Sequence, residues 1–203
     1  VQYTNSNTGS GLDIDYSTLK IKTFQEQCNS GASKGELRSV IGSLFTEKDI
    51  VMFFGPTNSG KSTASFQLAD AIARGGDLWG LHNNLGAQKV LYFDFEQSDQ
   101  QVAHKFKDMR TNENFLIVDR ETLLSHGRTE WKNHKLSVIE GFIKASGAKV
   151  VFIDNITALN IDNTIEKDIG QLMEGLIDIR NKFDISMVII GHTPKRPKDE
   201  PLE

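Results

Sequence analysis

The sequence predicts an α/β fold: a largely parallel β-sheet flanked by helices. Three observations predict it. Apolar runs of strand length alternate with longer segments whose apolar residues recur every three or four positions. The runs at 50–54, 90–93 and 150–153 are apolar without a polar partner every second residue, the mark of strands covered on both faces. The first of them leads straight into a glycine-containing turn and an amphipathic helix, a strand–loop–helix unit that needs a parallel neighbour.

In chain order, residues 1–11 are polar and rich in Gly, Ser and Asn, and read as a flexible lead-in. Leu19, Ile21 and Phe24 give residues 16–34 a weak apolar pattern ending at Asn29-Ser30-Gly31, a short helix and a turn, so 1–35 form an N-terminal lead-in, flexible or partly helical. Leu37, Val40, Ile41, Leu44 and Phe45 stand at helical spacing and predict an amphipathic helix beside the first strand. Ile50 to Phe54 is that strand, expected to be buried on both faces. The helix after it carries Ala64, Leu68, Ala71 and Ile72 on one face and stops at Gly75-Gly76. A loop to Gly86 follows, tacked to the core by Trp79, Leu81 and Leu85.

Residues 89–96 form the second strand, and Val102 and Phe106 mark a helical segment. Phe115 to Val118 is the third strand, with a polar connection through Gly127. Trp131, Val138, Ile139, Phe142 and Ile143 mark a helix closed by Gly147, and residues 149–154 are the fourth strand. Ile165, Ile169, Leu172, Leu176, Ile179 and Phe183 alternate four and three apart along a core-facing helix. Ile185 to Ile190 is the fifth strand, ending at Gly191-His192. Three of the four prolines fall in the last ten residues, so 194–203 read as an irregular tail after a core of 36–193.

A chain of 203 residues with 38% hydrophobic and 25% charged side chains can bury a full core. Its net charge of -4 does not support a broad surface for gripping duplex DNA, though a local strip or a ring of subunits could still do so. Cys28 is the one cysteine, which excludes a disulfide framework and a thiolate metal cluster and fits a reducing cytoplasm. No apolar run reaches membrane-spanning length, so no membrane partner is expected. A start on Val1 reads as a processed or excised piece.

The chemistry concentrates at Gly55-Pro56-Thr57-Asn58-Ser59-Gly60-Lys61-Ser62-Thr63, a GxxxxGKS phosphate-binding loop. The glycines let main-chain N–H groups close around phosphate oxygens, and the helix N-terminus that follows favours an anion. Lys61 would place its charge on the β- and γ-phosphates, and the Ser62 hydroxyl can ligate Mg²⁺. Asp154, ending an apolar strand, can hold the same Mg²⁺ through a water. Hydrolysis also needs a group to orient or deprotonate a water. Asn155 stands where many related ATPases place a Glu, so Glu96, at the end of the second strand, is the candidate base. Asp94 shares its face and would assist, or hold Glu96. His192, after the fifth strand, would contact the γ-phosphate; Lys195 and Arg196 could reach a neighbouring subunit's triphosphate. For each there is a plainer alternative: a capping Asp, a solvated strand-end Glu, a structural His, a solvated basic turn. Two basic clusters, Lys105, Lys107 and Arg110, and Arg128, Lys132, His134 and Lys135, have no interleaved aromatics and read as solvated surface charge.

The segments GPTNSGKST, VLYFDFEQS, VVFIDN and VIIGHTPKR, in this order and spacing over about 37–196, resemble the RecA-like P-loop ATPases. The branch they look most like contains the RepA-type plasmid replicative helicases, DnaB helicases and KaiC-like proteins. The resemblance implies ATP and Mg²⁺ at Lys61, Ser62 and Asp154, catalysis by Glu96, and γ-phosphate sensing by His192. It implies a homo-oligomer, a hexameric ring with ATP between subunits. Family members continue with further strands after the fifth, where this chain stops. The leading expectation is an ATPase coupled to DNA replication, recombination or mobilisation, with single-stranded DNA as partner. A nucleotide-gated regulator or assembly ATPase without motor activity is the alternative, and a small-molecule or nucleotide kinase a third reading.

Overall fold

The computed structural model describes residues 20–33, 35–109, 112–125, 134–159 and 165–193, with backbone alone for 165–169. The chain divides into two units between Glu36 and Leu37. In the first, helix α1 (Phe24–Ala32) is started by a capping box: Thr23 Oγ1 accepts from the Glu26 N–H while the Glu26 carboxylate accepts from the Thr23 N–H. The helix runs through Asn29-Ser30-Gly31, where a turn was expected, because these residues weaken a nucleated helix without breaking it. None of its residues is buried.

The second unit opens on a hairpin, β1 (Ser39–Ile41) and β2 (Phe45–Thr46), paired antiparallel. An amphipathic helix was expected here. The β-branched Val40 and Ile41 and the Gly42-Ser43 turn favour the hairpin, and Val40, Ile41 and Phe45 reach the core equally well from it.

Five strands then form one parallel sheet: β3 (Ile50–Gly55), β4 (Val90–Asp94), β5 (Phe115–Asp119), β6 (Val150–Asp154) and β7 (Ser186–His192), in the order β3-β7-β6-β4-β5. Helices α2 (Lys61–Arg74), α3 (Asp99–Phe106), α4 (Arg120–Ser125), α5 (Lys135–Ser146) and α6 (Ile165–Phe183) connect them. Alternation along each central strand divides the core in two. Leu91, Phe93, Val151, Ile153, Met187 and Ile189 pack with α5 and α6 residues such as Ile139, Ile143, Leu176 and Ile179. Tyr92, Phe152, Val188 and Ile190 pack on the opposite face with Phe66, Leu68 and Ile72 of α2.

Three further expectations need correction. β3 is an edge strand, paired with β7 alone, so its outward side chains are not covered: Phe54 is 58% exposed. Trp79 does not tack its loop to the core; it is 55% exposed, whereas Leu81 and Leu85 pack inward. The connection after β5 contains α4, which the polar sequence concealed; the Asp119 carboxylate caps it by accepting from the Thr122 N–H at 2.6 Å. Trp131 and Gly127 lie outside the described residues.

Gly75 ends α2 in the left-handed conformation (φ 72°), and a Cβ there would lie 2.5 Å from the Ala87 backbone nitrogen. Gly75→Ala combines the left-handed penalty with displacement of that backbone. It should cost about 2–3 kcal/mol, read as a lower urea midpoint at unchanged slope. A loss under about 0.5 kcal/mol, as at an ordinary surface position, would contradict this packing.

Candidate nucleotide site

The parallel register lines up the carboxyl ends of the strands. Gly55 of β3 stands opposite His192 of β7, and Asp154 of β6 stands opposite Asp94 of β4, itself opposite Asp119 of β5. Period two decides which face they share. Asp94, Asp154 and His192 each follow by two residues a side chain of the α2-facing core, Tyr92, Phe152 and Ile190 respectively. The strand that buries its apolar residues against α2 therefore aims its terminal polar residue at the start of α2.

That start is the phosphate loop. Gly60 takes φ 84° at the N-cap of α2, Asn58 takes φ 63°, and no side chain caps the helix. A Cβ on Gly60 would meet nothing within 4 Å, so the glycine leaves open space in front of the first turn. Pro56, Thr57, Asn58, Ser59 and Thr63 are exposed around it. Uncapped N–H groups facing an open concavity suit a phosphate.

The Lys61 ammonium lies across the loop. It donates to the carbonyls of Gly55 (2.8 Å) and Pro56 (2.7 Å), and stands 3.4 Å from Ser59 Oγ and 3.3 Å from His192 Nδ1. An ammonium has donors only, so Nδ1 accepts, and the proton of the imidazole is on Nε2. His192 Nε2 in turn lies 3.1 Å from Glu96 Oε1 and donates to it. Glu96, the expected base, is thus joined through the His192 ring to Lys61, with its side chain still 43% exposed.

Asp154 is buried (1% exposed). Its Oδ2 accepts from the Tyr92 hydroxyl at 2.8 Å, while Oδ1 has no hydrogen-bond partner among the described residues. Burial raises its pKa; the nearby Ser62 and Tyr92 hydroxyls pull the other way. Burial also holds the Tyr92 hydroxyl well above its ordinary range, so it stays a donor. Asp94, fully buried and likewise raised by burial, accepts from the Glu96 and Gln97 N–H groups at 3.0 and 2.9 Å. It thereby fixes the backbone that carries Glu96. Ser62 with the orphaned Asp154 Oδ1 fits Mg²⁺, which is commonly held by one or two protein oxygens plus phosphate. Among the described residues no cluster of three acidic, His or Cys side chains could hold a metal by itself.

Lys195 and Arg196, with Arg110, Arg128 and Lys132, lie outside the described residues. One cation of the basic clusters is not solvated charge: the buried Lys135 donates to the Ala158 carbonyl (2.9 Å), whereas Lys105 is exposed and donates to Gln97 Oε1 at the surface (2.7 Å). The sequence reading overlooked Tyr92 as a partner of Asp154. The available signal was a hydroxyl inside an otherwise apolar strand.

Among the described residues no helix is long and apolar enough to cross a membrane. No curated protein matches the sequence. A KaiC-like protein from the hyperthermophilic archaeon Pyrococcus horikoshii OT3 is similar in fold, with a TM-score of 0.54 and 17% identity over 78% of this chain and 74% of that one. The model of the AAA domain family AAA_25 matches residues 17–198. With the parallel sheet and phosphate loop just described, the chain belongs to this AAA domain family, a family of RecA-like P-loop ATPases.

Proposed function

We propose that this chain binds ATP with Mg²⁺ and hydrolyses it, with Glu96 as general base, in a RecA-like motor or switch acting on DNA. The observation that carries the hydrolytic reading is the contact path from the Lys61 ammonium through His192 to the Glu96 carboxylate. The loop N–H groups and Lys61 would hold the triphosphate. Ser62 and Asp154 would hold Mg²⁺, which when bound neutralises charge on the β- and γ-phosphates. Glu96 takes a proton from a water whose oxygen bonds to the γ-phosphorus, while the bond from that phosphorus to the bridging oxygen breaks and ADP leaves. His192, donating to Glu96 and accepting from Lys61, stands where it would respond to the γ-phosphate.

The finer parts of the proposal are single-stranded DNA as partner and a hexameric ring completed by Lys195 or Arg196 from a neighbour. They are supported by the order of the motifs and by the place of those cations directly after β7. A regulator that binds ATP and turns it over slowly is the second reading; the exposure of Glu96 favours it, since a base shared with solvent is not yet committed to one water.

Steady-state phosphate release from Mg-ATP, at several protein concentrations with and without single-stranded DNA, tests the proposal. Turnover should rise with both; turnover indifferent to both, with ATP bound, selects the regulator. Lys61→Ala should weaken ATP binding by about 100-fold or more, and unchanged affinity would remove the site. Glu96→Gln should bind ATP normally and lose about two or more orders of magnitude in turnover; normal turnover would move the base elsewhere.

Asp154 gives a prediction of opposite sign for stability. Its pKa is raised in the folded chain, so its ionised form destabilises the fold above that pKa, and the penalty fades as pH falls through it. Asp154→Asn removes the charge and keeps an oxygen for Tyr92. In chelator at neutral pH it should melt above wild type while losing the Mg²⁺ enhancement of ATP affinity. A lower melting temperature would show that the charge is better compensated than its burial implies.

A further inference from the structure

Asn155 is fully buried, directly after the buried Asp154 at the end of β6. Its side-chain oxygen accepts from the Thr157 N–H at 2.9 Å and from the Thr157 hydroxyl. With Oδ1 occupied by two donors, the orientation of the amide is settled and Nδ2 must donate. It donates to Glu96 Oε1, the same oxygen that receives the His192 Nε2–H. Two donors from the ends of two neighbouring strands, β6 and β7, therefore converge on one carboxylate oxygen. Among the described residues no hydrogen bond engages Oε2, the oxygen that would be open to a water.

The two donors are not equivalent. His192 is oriented by Lys61, whose ammonium must turn to the phosphates when a nucleotide binds. The grip of Asn155 is built from its own strand end and from the turn Ile156–Leu159 that follows. That turn is held independently: the Ala158 N–H donates to the Asn155 carbonyl at 3.2 Å, and the Ala158 carbonyl accepts from the buried Lys135 of α5 at 2.9 Å. Asn155 is thus the partner that stays with Glu96 whichever way Lys61 points.

We propose that Asn155 is a positioning residue: it holds the Glu96 carboxylate for attack and joins it to the Ile156–Leu159 turn, so that whatever moves that turn alters turnover. This rests on Glu96 being the base. A carboxylate half-exposed beyond the end of β4 has several rotamers open to it, and misplacement by about 1 Å can cost a factor of about 100 in rate. The position where many related ATPases place a Glu thus carries an amide here, because the acid is already supplied from β4 and an amide can donate to it.

The test is a kcat-against-affinity split in the full chain. Asn155→Asp keeps the shape and the oxygen for Thr157 but replaces the donor with a second negative oxygen against Glu96. It should lower kcat by about 10- to 100-fold while the KM for ATP and the Kd for a fluorescent ADP stay within about twofold. Thr157 is exposed, so its variants leave the core alone. Thr157→Val should lower kcat in the same direction, and Thr157→Ser, which keeps the hydroxyl, should restore it. Wild-type turnover in Asn155→Asp beside an inactive Glu96→Gln would overturn the positioning role while leaving the base in place. Affinity and turnover falling together would overturn it in favour of a purely structural residue. Equal turnover in Thr157→Val and Thr157→Ser would sink the link to the turn. Full activity in Glu96→Gln would instead remove the base itself, and with it the reading on which the inference stands.

Discussion

Everything at this site depends on five strands pairing in parallel in one register. Had β6 slipped by one residue against β4, Asp154 would face the α5 and α6 core and Tyr92 would have no carboxylate to meet. The register is secured by burial on both faces. Along β4 and β6, Leu91 with Phe93 and Val151 with Ile153 fill one core, while Val90 with Tyr92 and Val150 with Phe152 fill the other. A one-residue shift would exchange the two sets against helices shaped for the original arrangement. The apolar packing of the sheet and the alignment of its polar ends are one constraint seen at two places.

The same arrangement explains why the site tolerates buried charge. Asp94 and Asp154 are raised by burial, a cost to the folded state, yet each is held by donors that leave a use for it. Asp94 spends both oxygens on the backbone of residues 96–97 and the Gln97 amide, and so is structural in its contacts. Asp154 has one oxygen fixed by Tyr92 and one without a partner. Two buried carboxylates on adjacent strands thus differ in what they can do, and the difference lies in donor count. An oxygen without a donor is the one that a cation would stabilise most.

Much of this was legible in the sequence. The strand–loop–helix at 50–74 announced itself because glycine spacing, apolar run and helix stop agree. The acidic residues at 94, 96 and 154 were visible because each ends an apolar run. What was not legible turned on pairing. The segment from Leu37 to Phe45 has helical spacing and forms a hairpin, because a three-residue turn lets residues four apart meet the same core. The run at β3 promised burial on both faces, but apolarity does not reveal that a strand has one neighbour. Tyr92 and Asn155 were hidden for a related reason: their partners lie 62 and 59 residues away, on strands whose order no local pattern states.

The contacts of Lys61 bear on Glu96 through His192. Its ammonium is satisfied by the Gly55 and Pro56 carbonyls, protein oxygens standing where phosphate oxygens would otherwise serve. A triphosphate bound there would have to replace those bonds, so its affinity would be a difference between two sets of charge-assisted contacts rather than the sum of new ones. Replacing them also withdraws the donor from His192 Nδ1. If the proposed function holds, the imidazole would then be free to turn, and its hold on Glu96 would loosen unless the γ-phosphate took the place of the lysine. On the reading proposed above, occupancy of the phosphate loop would change the surroundings of a carboxylate on another strand, through one ring that touches both Lys61 and Glu96. A cation in that position could not do this, since it would have no lone pair for Lys61; a hydroxyl would be too short to span from the lysine to the carboxylate.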